Sequence, residues 1–198
     1  MTVIFPIVEG HGEATAVPIL LRRIFLETLG RTDLDCLKPH RLPRNKLEAP
    51  GELERAVELG ARKIKSRNSA GLILVLMDAD DACPAATAPA VLSRISRHDV
   101  ACSVVFANRE FESWFLVAAR SLRSDKRVRS DAEPPSDPES IRGAKEALGR
   151  MVMVSGAVYR PAVDQPALTA RMDLAEARQA PSFDKLCRDI ESFAPPEA

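Results

Sequence analysis

The feature that most constrains the fold is an uninterrupted apolar run, residues 71–77, which ends at three aspartates within residues 78–81. A short run without polar alternation predicts a strand that is buried on both faces, as in a parallel sheet. The β-branched and apolar run Thr2–Val8 predicts a first strand of the same kind, and it also stops at an acidic residue, Glu9.

Segments with helical periodicity alternate with these strands. The spacing of apolar residues predicts helices over residues 15–29, 52–66 and about 84–97. A weak strand is predicted over 35–42, and a further strand over 100–106. This alternation predicts an α/β fold with a mostly parallel sheet of about four strands flanked by helices.

Two prolines restrict these elements. Pro6 lies inside the first predicted strand and lacks a ladder donor, so that strand should be partly at an edge or should contain a bulge. Pro18 lies in the helix predicted over 15–29, where proline is tolerated in the first turn.

The later part of the chain differs in character. A helix is predicted over 108–119, and residues 121–140 are rich in charge and proline, which predicts an exposed loop. Further helices are predicted over 140–151 and 183–193. We therefore expect one domain, which comprises an α/β core (1–120), the exposed loop (121–140) and a C-terminal helical elaboration (141–198).

Composition excludes some classes of protein. Lys plus Arg and Asp plus Glu both number 28, so a protein that binds nucleic acid through a high net positive charge is excluded. No apolar run approaches the roughly 18 residues that span a bilayer. The first residues lack the basic region of a signal peptide, and the four cysteines form no C-x-x-C pair. We expect a cytoplasmic protein with reduced thiols and no membrane segment.

One stretch is locally basic. It would either contact a phosphate backbone or form a solvated loop surface. Its residues are Arg120, Arg123, Lys126, Arg127 and Arg129.

Acidic residues follow two of the predicted strands. Glu9 and Glu13 follow the first strand, and Asp78, Asp80 and Asp81 follow the strand over 71–77. If these strands are neighbours, all of these carboxylates converge on one crevice, because ligands bind beyond the carboxyl ends of parallel strands. Clustered carboxylates favour a bound cation, and their hard oxygens select Mg²⁺, Mn²⁺ or Ca²⁺ over zinc. Either acidic group alone would equally serve to stabilise the N-terminus of the next helix.

These motifs resemble a known fold. Glu-Gly-x-x-Glu at 9–13 and Asp-x-Asp-Asp at 78–81 resemble the Toprim fold of topoisomerases, primases and overcoming-lysogenization-defect nucleases. More closely, the chain resembles DUF4276, a bacterial Toprim-related family of unknown function. The resemblance spans nearly the whole chain, and the further matching positions are 108–116, 143–145, Tyr159, 164–165 and 181–186.

The resemblance implies roles for individual residues. Glu9 would act as general acid/base or metal ligand, Glu13 would assist it, and Lys145 would stabilise phosphate charge unless it is a solvated helix lysine. Asp78 and Asp80 match a metal-binding pair. The full set of implied metal ligands is Glu9, Glu13, Asp78, Asp80, Asp81, Glu110 and Glu112.

The resulting hypothesis is a Mg²⁺- or Mn²⁺-dependent phosphodiesterase or nuclease that acts on nucleic acid, in a role such as bacterial defence. The alternative is a non-catalytic subunit that binds metal or nucleotide and partners an ATPase. A phospho-receiver domain fits less well because no clear fifth strand precedes Lys145. A haloacid-dehalogenase-type phosphatase also fits less well, because its Asp-x-Asp motif follows the first strand. The oligomeric state is not predicted.

Overall fold

The computed structural model describes residues 1–47, 49–96 and 99–194. Its centre is a parallel sheet with strand order β2-β1-β4-β5, in which the short β3 also pairs with β1. The strands are β1 (Thr2–Val8), β2 (Leu34–Cys36), β3 (His40–Arg41), β4 (Gly71–Asp78) and β5 (Ala101–Ala107). The described sheet thus has five strands rather than about four, because the weak strand predicted over 35–42 is two short strands.

The two long central strands are buried on both faces, as their continuous apolar sequences predict. All seven residues of β1 are buried, and β4 is buried from Leu72 onward. Alternate side chains of these strands enter two separate hydrophobic clusters, one on each face of the sheet. The predicted α/β fold with a mostly parallel sheet is therefore confirmed.

Pro6 is accommodated by a break in the neighbouring strand. The Thr2 amide donates to the Asp33 carbonyl, on the β2 side of β1, at 2.9 Å. Because the direction of the backbone N–H alternates along a strand, the Pro6 nitrogen faces the same side. There β2 pairs only as far as Ile4, and β3 pairing begins at Ile7. The Pro6 nitrogen, which cannot donate a hydrogen bond, thus faces the gap between two short strands.

Nine α-helices surround the sheet in the described part of the chain. Their bounds are α1 (His11–Arg23), α2 (Arg44–Leu47), α3 (Glu52–Lys65), α4 (Pro84–Ile95), α5 (Ser113–Val117), α6 (Ala144–Met151), α7 (Pro161–Thr169), α8 (Leu174–Ala177) and α9 (Pro181–Phe193). Helices α3 and α4 cover one face, and α1 with the C-terminal helices covers the other. The predicted end of α4 at residue 97 lies outside the described residues.

Helix α1 begins earlier than predicted and continues through Pro18. It starts at His11 rather than residue 15, so Pro18 lies in the helix interior, contrary to the prediction that it occupies the first turn. The Glu13 side chain caps this helix, and its face of Ala16, Val17 and Leu20 is fully buried. We attribute tolerance of the lost backbone hydrogen bond to this packing and capping.

The later segments are more tightly packed than predicted. The helix predicted over 108–119 is confined to α5, and residues 121–140 are not wholly exposed, since Leu122, Val128 and Ala132 are buried. Helices α7 and α8 were not predicted. All of these elements contribute to the cluster that also holds one face of the sheet.

No helix in the described part of the chain is both long and apolar enough to cross a membrane.

Candidate functional site

The carboxyl ends of β1, β4 and β5 lie side by side at one edge of the sheet. Parallel pairing aligns Val8 with Leu76 and Asp78 with Ala107, so the residues that follow these strands emerge together. Strands β1 and β4 are direct neighbours, as the convergence of their acidic residues required. The turn after β5 brings Glu110 and Glu112 to the same edge.

Glu13 is buried and tied to the turn that starts α1. Its Oε2 accepts hydrogen bonds from the backbone amides of Glu9 at 3.0 Å and Gly10 at 2.7 Å. Burial raises the pKa of Glu13, although these two amides and the adjacent Gln165 act in the opposite direction. The helix-stabilising interpretation of Glu13 is therefore correct, and its charge still acts on the rest of the site.

Asp78 ends β4 and is nearly inaccessible to solvent. Its Oδ1 accepts a hydrogen bond of 2.8 Å from the Phe111 amide, which fixes the turn after β5 against the end of β4. Burial raises the pKa of Asp78 well above its usual value, and the charges of Glu13 and Glu112 raise it further.

Lys145, at the start of α6, lies among the carboxylates. Its Nζ is 3.6 Å from Glu110 Oε2, 3.8 Å from Asp78 Oδ2 and 3.9 Å from Glu112 Oε2. Burial lowers the pKa of Lys145, but the surrounding carboxylates outweigh burial and raise it above its usual value. Lys145 thus contributes positive charge to the carboxylates, and 40% of its side chain remains exposed to solvent.

Glu112 is the most buried of the acidic side chains. Its Oε1 accepts a hydrogen bond of 2.9 Å from the Tyr159 hydroxyl, which burial and the nearby negative charge keep protonated by raising the pKa of that phenol. Burial raises the pKa of Glu112 to about 7, against the opposing effects of Lys145 and Tyr159. A carboxyl group with such a pKa exchanges protons near neutral pH.

Glu9 is half-buried and interacts both with neighbouring carboxylates and with Arg44. Burial raises the pKa of Glu9, whereas Arg44, whose Nη1 is 3.9 Å from Glu9 Oε2, lowers it. The same Arg44 nitrogen donates to the Asp78 carbonyl at 2.6 Å and lies 3.6 Å from Asp80 Oδ2. Arg44 therefore connects the ends of β1 and β4.

Asp80 and Asp81 face outward and pair with arginines. Asp81 Oδ1 lies 2.5 Å from Arg109 Nη1 and 2.9 Å from Arg142 Nη2, and both aspartates are largely exposed. Asp80 adopts a left-handed backbone conformation, with a φ of 50°, which turns the chain away from the sheet. These two aspartates form the rim of the site, outside the buried group of Glu13, Asp78 and Glu112.

Sequence reasoning missed the arginines at the rim and gave no role to Tyr159, before α7, or to Gln165, within α7. Arg44 has no motif that marks it, and Arg142 lies far from the acidic residues in sequence. Tyr159 and Gln165 were noted only as positions that match a family, without a role. Gln165 packs so closely on Gly12 that a Cβ there would lie 1.9 Å from its Oε1. Such contacts depend on how α7 packs, which local sequence does not specify.

Four of the five residues in the predicted basic stretch have acidic partners. Arg120 and Arg123 pair with Glu133, Arg127 pairs with Asp125 and Asp164, and Arg129 pairs with Asp131. The stretch is therefore a surface of paired charges, at which phosphates would have to displace these acids.

The donor set has the chemistry of a site for a hard cation. Glu9 Oε2 and Glu112 Oε2 are buried without a hydrogen-bond partner among the described residues. Both are carboxylate oxygens, the kind of ligand atom that a hard cation prefers. Within residues 1–47, 49–96 and 99–194, however, no three acidic, histidine or cysteine side chains already lie together as a metal site. To hold a cation between them, Glu9 and Asp78 would have to approach each other, with Lys145 displaced from beside Asp78.

Comparison with known proteins gives the chain a family. Neither the curated proteins nor the solved structures that were searched contained a significant match. The family model described as a domain of unknown function, DUF4276, matches residues 8–191, a range that includes every acidic residue of the site as well as Lys145, Tyr159 and Gln165. This match covers most of the sequence, and the chain therefore belongs to the DUF4276 family.

Proposed function

We propose that this protein is a Mg²⁺- or Mn²⁺-dependent phosphodiesterase or nuclease that acts on nucleic acid. One observation carries the proposal: carboxylates from the ends of three adjacent strands converge around a single lysine. Burial is the main cause that raises the pKa values of Glu9, Asp78 and Glu112, so their charged forms are poorly stabilised within the protein. A divalent cation would stabilise those charged forms and, when bound, would polarise a phosphodiester.

The residues of the chain suit this chemistry in distinct ways. Glu112, which lies beside Lys145 and accepts a hydrogen bond from the Tyr159 hydroxyl, is placed to accept a proton from an attacking water molecule. Lys145 is suited to stabilise negative charge that develops on phosphate oxygens. Glu9 and Asp78, at the ends of the central strands, are the remaining groups that would hold the cation.

The rim favours a polyanionic substrate. Arg44, Arg109 and Arg142 come from three separate segments and surround the mouth of the carboxylate cluster. Arg109 and Arg142 both pair with Asp81, which is exposed, so the phosphates of a nucleic acid can compete for these arginines. The overall charge is zero, so such contacts would be local rather than a general attraction.

Cation binding is the first test. Isothermal titration with Mn²⁺ and Mg²⁺, together with thermal unfolding in chelator and in excess cation, should show binding and a raised midpoint for the wild type. Glu9→Gln and Asp78→Asn should weaken binding at least about tenfold, which corresponds to about 1.4 kcal/mol. Asp131→Asn, at an exposed acid outside the site, is the matched control.

Cleavage is the second test. Single- and double-stranded DNA and RNA are incubated with each protein and either cation. We expect cation-dependent cleavage by the wild type and by Asp131→Asn, with at least about a hundredfold loss in Glu9→Gln and Asp78→Asn. Cleavage that survives in chelator, or that is equal in all four proteins, would overturn the proposal.

The alternative of a non-catalytic subunit that partners an ATPase has one supporting observation. Lys145 already lies among Asp78, Glu110 and Glu112, an arrangement that partly neutralises the cluster without a metal. Cation or nucleotide binding without turnover on any of the four nucleic acids would favour this alternative.

A further inference from the structure

Asp78 and Glu112 each divide their two carboxylate oxygens between the protein and Lys145. Asp78 Oδ1 accepts a hydrogen bond from the Phe111 amide, whereas Asp78 Oδ2 lies 3.8 Å from Lys145 Nζ. Glu112 Oε1 accepts from the Tyr159 hydroxyl, whereas Glu112 Oε2 lies 3.9 Å from the same nitrogen. The oxygens that face the ammonium are thus the ones that these two hydrogen bonds leave unused.

The contacts of Lys145 with the acids are ionic rather than directed hydrogen bonds. Its Nζ lies 3.6 Å to 3.9 Å from three carboxylate oxygens, which is beyond the usual length of an N–H···O hydrogen bond, about 2.7–3.2 Å. One of the three, Glu112 Oε2, is buried and has no hydrogen-bond partner among the described residues. The ammonium is therefore attracted to all three acids without a short bond to any of them, so another cation can replace it.

Lys145 also has a path out of the cluster. Its backbone amide donates to Glu110 Oε2 at 3.3 Å, which holds the start of α6 beside the acids. Its side chain has a flexible four-carbon stem, and 40% of that side chain is exposed to solvent. The ammonium can therefore move into solvent while the backbone of α6 stays in place.

We propose that Lys145 and a divalent cation compete for the same carboxylates, so that the ammonium leaves Asp78 and Glu112 when the cation binds. This competition rests on the proposed cation-dependent function, and it means that the chain carries its own competitor for the cation. The two positive charges would repel each other strongly at such short separations within a partly buried cluster. The released ammonium would then be available to a substrate phosphate, which makes phosphate binding depend on the cation.

The first test is cation affinity, measured by isothermal titration with Mn²⁺ and Mg²⁺. Lys145→Met removes the ammonium and keeps an unbranched side chain, so it should bind the cation at least about tenfold more tightly than the wild type does. The acids lose a counterion in this variant and bind protons more readily, so the titration is performed at pH 8. Lys145→Arg keeps the charge and should not gain affinity. Lys126→Met, at an exposed lysine outside the site, is the matched control.

The second test is the acetylation rate of Lys145 in the wild type, measured by peptide mass spectrometry in chelator and in saturating Mn²⁺. The cation should raise this rate at least about threefold, because an ammonium in solvent loses its proton more readily than one among carboxylates. The rate at Lys126 is the internal reference and should not change.

Circular dichroism and the emission of the single tryptophan, Trp114, establish that each variant is folded. If Lys145→Met does not fold, the acetylation rates of the wild type decide the question. Binding by Lys145→Met but not by the wild type would support the competition.

Two results would overturn the competition while leaving cation binding intact. One is a Lys145→Met protein that binds the cation no more tightly than the wild type, and the other is an unchanged acetylation rate at Lys145 when Mn²⁺ binds. Absence of binding by both the wild type and Lys145→Met would overturn the proposed function together with the competition.

Discussion

At the scale of single residues, Glu112 shows how the site balances opposing effects. Burial favours its neutral form, whereas Lys145 and the Tyr159 hydroxyl favour the charged form. The result is a carboxyl group whose pKa lies near neutrality rather than at its usual value. The same opposition, with different partners, holds for Asp78 and Glu9.

This balance predicts how stability depends on pH. Because the pKa of Glu112 is raised from 4.5 in the unfolded chain to about 7, the folded state binds its proton more tightly. The resulting stabilisation is complete below pH 4.5 and is lost as pH rises toward 7. At about 1.4 kcal/mol per pH unit, Glu112 contributes a loss of roughly 3 kcal/mol over this interval.

The measurement is the free energy of unfolding in urea with chelator present, at several pH values from 4 to 8. Glu112→Gln should flatten the decline, because the amide does not titrate and still accepts from Tyr159. Asp131→Asn, at an exposed acid, should retain it. Equal slopes in the wild type and Glu112→Gln would contradict the assigned pKa.

The residues predicted from sequence were those placed by strand ends. Glu9 and Asp78 follow strands whose apolar runs are unmistakable, and the carboxyl ends of neighbouring parallel strands must meet. Asp80 and Asp81 lie in the same motif, yet a left-handed turn at Asp80 directs the chain to the rim. Backbone conformation at that one residue is not determined by a four-residue motif.

At the scale of elements, α3 packs so closely on β1 that one helix position excludes any side chain. A Cβ at Gly60 would lie 2.3 Å from the Phe5 ring, whereas a Cβ at Gly149 in α6 would meet no atom within 4 Å. Glycine is unfavourable in both helices, so the two positions separate intrinsic helix preference from packing.

We therefore predict opposite effects for the same substitution. Gly60→Ala should destabilise the fold by about 1–3 kcal/mol, since overpacking exceeds the gain in helix propensity. Gly149→Ala should stabilise it by about 0.5–1 kcal/mol. Urea unfolding followed by circular dichroism measures both. If Gly60→Ala were stabilising, α3 would have to lie farther from β1 than described.

The elements predicted best were those with a simple apolar pattern. The boundaries of β1 were predicted as observed, and those of β4 and α3 to within one residue, because each has either a continuous run or a clear helical stripe. Helix α7 was missed because the segment is short, has little periodicity and contains Pro166 in its interior. Its position depends on α1, against which it packs extensively.

At the scale of the whole molecule, one hydrophobic cluster joins the sheet to the C-terminal helices. It contains Ile4 of β1, Leu20 of α1 and Trp114 of α5, together with Leu168 of α7 and Ile190 of α9. Sequence indicated a core followed by an elaboration. The cluster shows why the two parts are packed together, because neither could bury its apolar face alone.

Gly12 lies where the sheet core contacts the C-terminal helices. A substitution there therefore tests whether the two parts unfold together. A Cβ at Gly12 would lie 1.9 Å from Gln165 Oε1 and 2.8 Å from the Pro161 carbonyl. Gly12→Ala should therefore separate α1 from α7 and destabilise the protein by about 1–3 kcal/mol. Adding Gln165→Ala should recover part of this loss, because the contact with the Pro161 backbone remains.

Trp114 fluorescence and circular dichroism should report the same urea midpoint in the wild type and in Gly12→Ala, as expected of a single cooperative unit. Two separate transitions in the wild type would show that the C-terminal helices unfold independently of the sheet.

The position of Lys145 in the sequence has a consequence for synthesis. Every acidic residue of the cluster precedes Lys145, so the ribosome releases the negative half of the site before its positive counterpart. Until α6 docks, Arg44, dissolved cations and protons are the counterions available to those acids. Folding on the ribosome should therefore be more sensitive to salt and acidity before α6 docks than after Lys145 has joined the acids.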